Sequence, residues 1–254
     1  MVALRAYEFW FFNYRRIWRS SLVSSVVNPV LYLAALGVGL GHLVNRTHHV
    51  PGGGSYLAFV APGLLAATAM QIAASEASFP VMAAIKWVRN YHAMLASPLG
   101  VDDVFVGHQL WMWTRVLGAS VIYFAVIAAF GALHSPLAGL AIPSAFLVGT
   151  AFAAPISAIA PRLDNGQEFN VLFRFGIVPM FLFSGTFFPV TRLPEALRPV
   201  AYATPLWHGV ALCRGFTLGT IHALPALGHF AYLLAWTIVG LVLARRSYRW
   251  RLWR

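Results

Sequence analysis

Charge is what this sequence has least of. Of its 254 residues only 10% are charged and 59% are apolar, with a mean hydropathy of +0.71. A soluble domain carries roughly 25% charged residues. A chain this poor in charge cannot clothe a water-facing surface, so the apolar excess must face lipid. Lysine is almost missing: Lys86, between Ile85 and Trp87 with no glycine nearby, is the only one. A phosphate-cradling GxxxxGK[ST] loop needs a lysine that reaches the phosphates, so the chain cannot be a P-loop ATPase. The lone cysteine, Cys213, cannot form an intramolecular disulfide or a thiolate cluster for a structural metal. It reads as a small buried hydrophobe.

Acids are nearly as scarce. The seven are Glu8, Glu76, Asp102, Asp103, Asp164, Glu168 and Glu195, all near the ends of apolar runs or in loops. Carriers coupled to protons or sodium place ionisable groups in mid-membrane, so a buried carboxylate relay is not supported. A stand-alone facilitator or channel stays open as the second reading. Glu76, toward the inner end of an apolar run, reads as a salt-bridge partner for Lys86, Arg89 or another inner basic residue. The nine histidines include no HExxH, and the adjacent His48-His49 pair is poor chelating geometry, so no metal site is expected. An intramembrane lipid transferase built on His208 and Arg214 would need a convergent polar site that the sequence does not assemble. Residues 1–20 lack the continuous apolar core and cleavage site of a signal peptide. Asn45-Arg46-Thr47 fits the glycosylation pattern.

What is present is a series of long apolar runs. A bilayer core needs about 20 consecutive apolar residues, and the gaps between charges outline six spans. These are Leu22 to Leu43, Tyr56 to Ala74, Val104 to Phe130, Pro136 to Ile159, Val171 to Phe188 and Leu224 to Leu243. Gly131-Ala-Leu-His-Ser-Pro136 divides the third from the fourth with turn chemistry. A further apolar segment, Pro199 to Leu218, carries Pro205, His208, Gly209 and Arg214 and reads as two short helices. Thr204-Pro205 starts the second, a hydroxyl cap before proline at the first helical position. No repeat or low-complexity tract is visible, and Pro51-Gly-Gly-Gly54 is the only linker-like piece. The expected fold is a single all-α membrane domain, 1–254.

The basic residues, which give a net charge of +11, cluster at the ends of the apolar runs. Lipid headgroups therefore explain them better than nucleic acid. Arg5, Arg15, Arg16 and Arg19 lie at one terminus, and Arg245, Arg246, Arg249, Arg251 and Arg254 at the other. With both termini in the cytoplasm, the inner side also gains Lys86, Arg89, Arg115, Arg162 and Arg174. The outer side keeps Arg46, Arg192, Arg198 and Arg214, which satisfies the positive-inside rule.

Three stretches carry mechanistic expectations. Residues 1–20 mix aromatics with arginines, as a helix lying in the inner interface does. Between the second and third spans, Trp87, Tyr91, Met94 and Leu95 recur at three- or four-residue spacing. The spacing predicts a short amphipathic helix over 84–97, either docked in a partner's groove or lying on the bilayer. Pro98 and Gly100 stop it, and Asp102 and Asp103 then open the third span at its positive end. After the fifth span, Gly185, Pro189 and Pro194 interrupt the chain. The segment to Leu218 is either a membrane-hugging loop or a lid over the outer mouth of a translocation path.

Taken together, Phe183-Ser-Gly-Thr-Phe-Phe-Pro189, Leu193-Pro194, Thr204-Pro205-Leu206-Trp207-His208 and Cys213-Arg214-Gly215 resemble the type-2 ATP-binding-cassette (ABC) exporter permeases. Within them the likeness is to the nodulation-factor, lipooligosaccharide and daunorubicin-resistance exporter group. Asn28-Pro29-Val-Leu-Tyr32, Gly37-Val-Gly-Leu-Gly41 and Tyr91-His-Ala-Met-Leu-Ala-Ser-Pro-Leu99 extend the likeness along nearly the whole chain. The resemblance implies a permease in the inner (plasma) membrane, paired with a second copy or paralogue and with ATPase subunits that bind ATP and magnesium. This chain itself would hold no cofactor. It makes the loop helix with Trp87, Arg89, Tyr91, Met94 and Leu95 a coupling helix on the ATPase that passes movement to the second and fifth spans, with Glu76, between the second span and that helix, helping to transmit it. The interrupted region 189–218 becomes re-entrant outer helices, with Gly185, Phe188, Pro189, Pro194, Pro205 and His208 in an outer gate. Substrates of the group are amphipathic: glycolipids, lipid-linked saccharides and hydrophobic drugs. The permeases of the group have no catalytic residues.

Overall fold

The structure, a computed structural model, describes residues 2–41 and 55–253, and every regular element among them is helical. The end of the first expected span at Leu43, the His48-His49 pair, the Asn45-Arg46-Thr47 pattern and the Pro51–Gly54 linker lie outside the described residues.

Helix α1, Val2–Leu33, runs without a break from the aromatic and arginine-rich stretch into the first apolar run. It continues as a π-helical segment, Ala34–Leu40. The interfacial stretch 1–20 and the start of the first span are thus parts of one rod, with Pro29 near its end. Helix α2, Tyr56–Ala77, begins where the Ser55 hydroxyl accepts from the Ala58 N–H at 3.2 Å. A kink at Ser78 leads into α3, Phe79–Lys86, and the joined span Tyr56–Lys86 is 31 residues long. At 1.5 Å per residue that is about 46 Å, longer than a hydrocarbon core of about 30 Å.

The helix expected over 84–97 is divided. Trp87, Val88 and Arg89 form an elbow, Arg89 taking a left-handed φ of 55°, before α4, Asn90–Leu95. Helix α5, Val101–Ala129, carries Asp102 and Asp103 in its first turn, where carboxylates meet the positive helix end, and Asp103 accepts from the Gly100 N–H at 3.0 Å. A 3₁₀ turn, Pro136–Leu140, capped by Ser135, leads into α6, Ala141–Ile159. Next come α7, Gln167–Leu172, a π-helical turn, Phe173–Ile177, and α8, Val178–Phe183, one unbroken run. At about 25 Å it is shorter than the stretches Tyr56–Lys86, Val101–Ala129, Pro136–Ile159 and Ala223–Leu252. Two 3₁₀ turns, Val190–Arg192 and Glu195–Leu197, precede α9, Arg198–Tyr202, and α10, Pro205–Leu218. Thr204 caps α10 as its hydroxyl accepts from the Trp207 N–H. Helix α11, Ala223–Leu252, completes the chain.

Among the described residues, four stretches are long and apolar enough to cross a membrane: Tyr56–Lys86, Val101–Ala129, Pro136–Ile159 and Ala223–Leu252. The core lies around α2. Its alanines at 58, 61, 66, 67, 69, 73, 74 and 77 are all buried, and α5, α6 and α10 pack against it. In lipid, where apolar side chains gain nothing by leaving solvent, such small residues let helices approach closely enough for dispersion and hydrogen bonds to hold them. Helix α11 packs on α6, and α1 on α5. At the second contact Gly107 is required: a Cβ there would sit 2.6 Å from Ala6 Cβ and 2.9 Å from the Ala3 carbonyl. Cys213 is fully buried in α10. The run over α7 and α8 is peripheral, and Val171, Phe175, Val178 and Leu182 form an exposed apolar stripe along one side of it.

Candidate functional site

At the end of the bundle expected from the sequence to be cytoplasmic, termed the inner end, charged and aromatic side chains tie together helices that are far apart in sequence. Glu76, on α2, accepts from Arg115 Nε on α5 at 2.9 Å, and the Arg115 guanidinium lies 4.6 Å over the Tyr14 ring of α1. Three helices meet on this pair. The partner of Glu76 is thus the one basic residue within α5 rather than Lys86 or Arg89. Lys86 donates instead to the Leu163 carbonyl at 2.6 Å and to Asp164 at 2.8 Å. Its ammonium holds the Asp164 carboxyl below the usual carboxylate range, and the contact joins the end of α3 to the segment after α6. Asp102 receives both Arg245, at 2.8 and 3.0 Å, and Arg249, which fastens the C-terminal turns of α11 to the start of α5.

The segment predicted to dock has two faces. Trp87 and Val88, at the elbow, are 61% and 68% exposed, and Arg89 is exposed beside them. Tyr91 points the other way and is wholly buried. Its hydroxyl is hydrogen-bonded to His108 Nδ1 of α5 and lies 3.3 Å from the Tyr248 hydroxyl of α11. Trp10 of α1 stacks on His108 with centroids 4.2 Å apart and planes within 8°. Met94 and Leu95 are half-buried against the core. Tyr91 is therefore the root of α4, and the exposed tip is formed by residues 87–89.

At the opposite end, expected from the sequence to be the outer one, side chains hold backbone. Gly185 adopts φ +84°, a conformation that a side chain would strain, and turns the chain after α8. Arg214 of α10 reaches this turn from below. Its guanidinium donates to the carbonyls of Phe59 (3.0 Å), Gly185 (2.9 Å) and Thr186 (3.3 Å) and lies 3.7 Å over the Phe59 ring. Tyr56 donates to the Phe187 carbonyl at 3.2 Å, so α2, the turn and α10 form one clamp. Phe188 and Trp207 pack on Val190, Leu193 and Ala201. Pro189 and Pro194 precede the two 3₁₀ turns, and Pro205 occupies the first turn of α10. His208 is hydrogen-bonded to His229 of α11 at 2.8 Å and stacks on Tyr232 at 3.9 Å. Of the outer residues named from sequence, Gly185 and Phe188 meet at Val190 and Trp207, and the residue that holds their turn is Arg214. The signal for it was its standing as the only charge between Arg198 and Arg245.

Among the described residues no group of three or more His, Cys, Asp or Glu side chains is arranged to hold a metal ion.

A helical chain with four described stretches of membrane-crossing length, ionic ties at one end and a folded cap at the other, is a multi-pass membrane protein. The ABC-2 type transporter family matches residues 4–217, and the chain belongs to that family. It is 32% identical to Nodulation protein J of Rhizobium leguminosarum bv. viciae over 95% of this chain and 96% of that protein. It is 31% identical to Nodulation protein J of Sinorhizobium fredii (strain NBRC 101917 / NGR234), over 93% and 92%. The Inner membrane transport permease YadH of Escherichia coli (strain K12) is 22% identical over 89% and 90%. The chain is accordingly the non-catalytic membrane component of a transporter, and its family implies an ATPase partner.

Proposed function

We infer that this permease exports an amphipathic substrate (a glycolipid, a lipid-linked saccharide or a hydrophobic drug) by ATP-driven alternating access. In this reading two permease chains, identical or related, stand in the plasma membrane with two ATPase subunits that bind ATP and magnesium. Each chain crosses six times: the four long stretches, α1, and the run over α7 and α8. Both termini lie in the cytoplasm, the N-terminal turns of α1 rest among lipid headgroups, and residues 189–218 form re-entrant outer helices.

The observation that carries the reading is the elbow at 87–89. Two large apolar side chains stand exposed on a short cytoplasmic segment whose base is locked into the bundle through Tyr91. Exposed apolar residues on a rigid base are what a partner's groove recognises. Closure of the ATPase pair on ATP binding pushes this elbow. Tyr91 passes the push to α5 and α11, Glu76 passes it through Arg115 to α1 and α5, and the Lys86–Asp164 contact passes it toward α7. The exposed stripe at Val171, Phe175, Val178 and Leu182 supports a second permease chain as a neighbour.

The test is co-expression with candidate ATPases and purification in mild detergent. The expected outcome is a stoichiometric P-loop ATPase that is lost on Trp87→Asp, while the variant still inserts. A permease that purifies alone with all its genomic neighbours co-expressed overturns the reading in favour of a stand-alone carrier.

A further inference from the structure

Helix α10 is fastened on two sides. Arg214 ties it to α2 and to the turn at Gly185, and a histidine pair ties it to α11. The Nδ1 atoms of His208 and His229 lie 2.8 Å apart. At that distance one nitrogen carries the proton and the other offers its lone pair, so the bond requires that at least one ring be neutral. Both residues are half-buried, and aromatic rings enclose them. Tyr232 stacks on His208 with planes within 16°, and Trp207 stands edge-on to both imidazoles at 4.9 and 5.1 Å. The Tyr232 hydroxyl donates to the Ala203 carbonyl at 2.6 Å, so the stacked ring is itself tied to the chain that enters α10.

Among the described residues no carboxylate faces this pair. Helix α6, packed against both α10 and α11, has no ionisable side chain from Ala141 to Ile159, and neither has the 3₁₀ turn 136–140 before it. On α2, Tyr56 is turned to the Phe187 carbonyl, and Glu76 lies at the opposite end with Arg115. On α10, Arg214 holds the Gly185 turn and Cys213 faces the Ala141 carbonyl. On α9 and just before it, Tyr202 packs against Trp207, and Arg198 donates to the Leu193 and Thr191 carbonyls beside Glu195. On α11, His222 is exposed at the helix start, and Arg245 lies far along the helix with Asp102. Of the groups on α5, Asp102, Asp103, His108 and Arg115 belong to the opposite end, and Tyr123 faces α1 and α2.

The count of protons therefore decides whether the two helices are joined. With both rings neutral, one Nδ1–H donates to the other Nδ1. One added proton goes to Nε2 of the donor ring and leaves the bond charge-assisted. A second goes to the accepting Nδ1. Two N–H groups of like charge then face each other, with no acid to offset them, and the bond is lost.

We propose that the His208–His229 pair is a proton-operated latch of α10 on α11, closed near neutral pH and opened by acid on the outer face. It rests on the exporter topology read above. It adds a control that neither ATP nor substrate exerts, the acidity of the compartment into which substrate is delivered.

The experiment places permease and ATPase in lipid nanodiscs, with spin labels on Ala203→Cys and Ala235→Cys, exposed positions on either side of the contact. Cys213, the only cysteine, is fully buried and stays unlabelled. The expected result is one interspin distance at about pH 7.5 and a second, longer one in about half of the molecules or more at about pH 5. Gln hydrogen-bonds without titrating in this range, so His229→Gln and His208→Gln should each keep the single distance at both pH values. In proteoliposomes with the ATPase outward, acid in the lumen alone should raise ATP hydrolysis about fivefold, because release of a tie on the delivery side eases opening there, and His229→Gln should not respond. A distance unchanged by acid, an equal acid response in both Gln variants, or a response to external acid alone overturns the latch. Where no ATP-hydrolysing complex forms, the exporter reading fails, and the distance measurement on the permease alone still decides whether acid parts the helices.

Discussion

The two ends of the bundle are held by different chemistry. At the inner end, side chain meets side chain: Glu76 with Arg115, Asp102 with Arg245 and Arg249, Tyr91 with His108 and Tyr248. At the outer end, one arginine gathers three backbone carbonyls, and the turn at Gly185 hangs from it. Among the inner ties the ion pairs reach water, whereas Tyr91, His108 and Tyr248 are wholly buried. The outer clamp instead fixes backbone carbonyls with one half-buried guanidinium. The clamp links α2, the 184–189 turn and α10 through one side chain, and the expected consequence is that these three move together while the inner end adjusts.

The sharpest way to break this contrast is at Arg214. Arg214→Met strips the clamp of its donors and should destabilise the fold by about 3 kcal/mol or more, read as a lowered thermal midpoint in detergent. Arg214→Lys keeps the charge without the fork and should recover only part of the loss. The next effect is at Gly107. Gly107→Val forces α1 away from α5, at a cost of about 1–3 kcal/mol, and crosslinking between cysteines placed on the two helices should weaken in parallel. The smallest is at the inner rim. Asp102→Asn removes a carboxylate that is 39% exposed, so the expected loss is within about 1 kcal/mol and shrinks further with added salt. A thermal midpoint more sensitive to Asp102→Asn than to Arg214→Met would reverse the assignment of rigid and mobile ends.

Legibility in the sequence follows the same division. Apolar length located the four long helices, because hydrophobicity over a span-sized window is a local property. Thr204-Pro205 located the start of α10 for the same reason, since a cap and its helix are neighbours in sequence. The spacing of Trp87, Tyr91, Met94 and Leu95 identified a segment with a preferred face, but a period does not say what the face meets. Tyr91 turned out to face His108 and Tyr248, the second of them 157 residues away. Glu76 was recognisable as half of an ion pair, while its partner depended on how α2 and α5 cross. Arg214 read as one of several outer basic residues. Its role depends on carbonyl groups, and every residue has one, so no composition marks them.

The elbow at Arg89 has a further consequence. A non-glycine residue at φ 55° is disfavoured by about 1–2 kcal/mol, and here the cost is met during folding of the permease alone. The presenting segment therefore reaches any docking partner already bent. In the coupling reading proposed above, none of the association energy is diverted to shaping it, and the elbow serves as a crank, a lever set at a fixed angle before any load is applied.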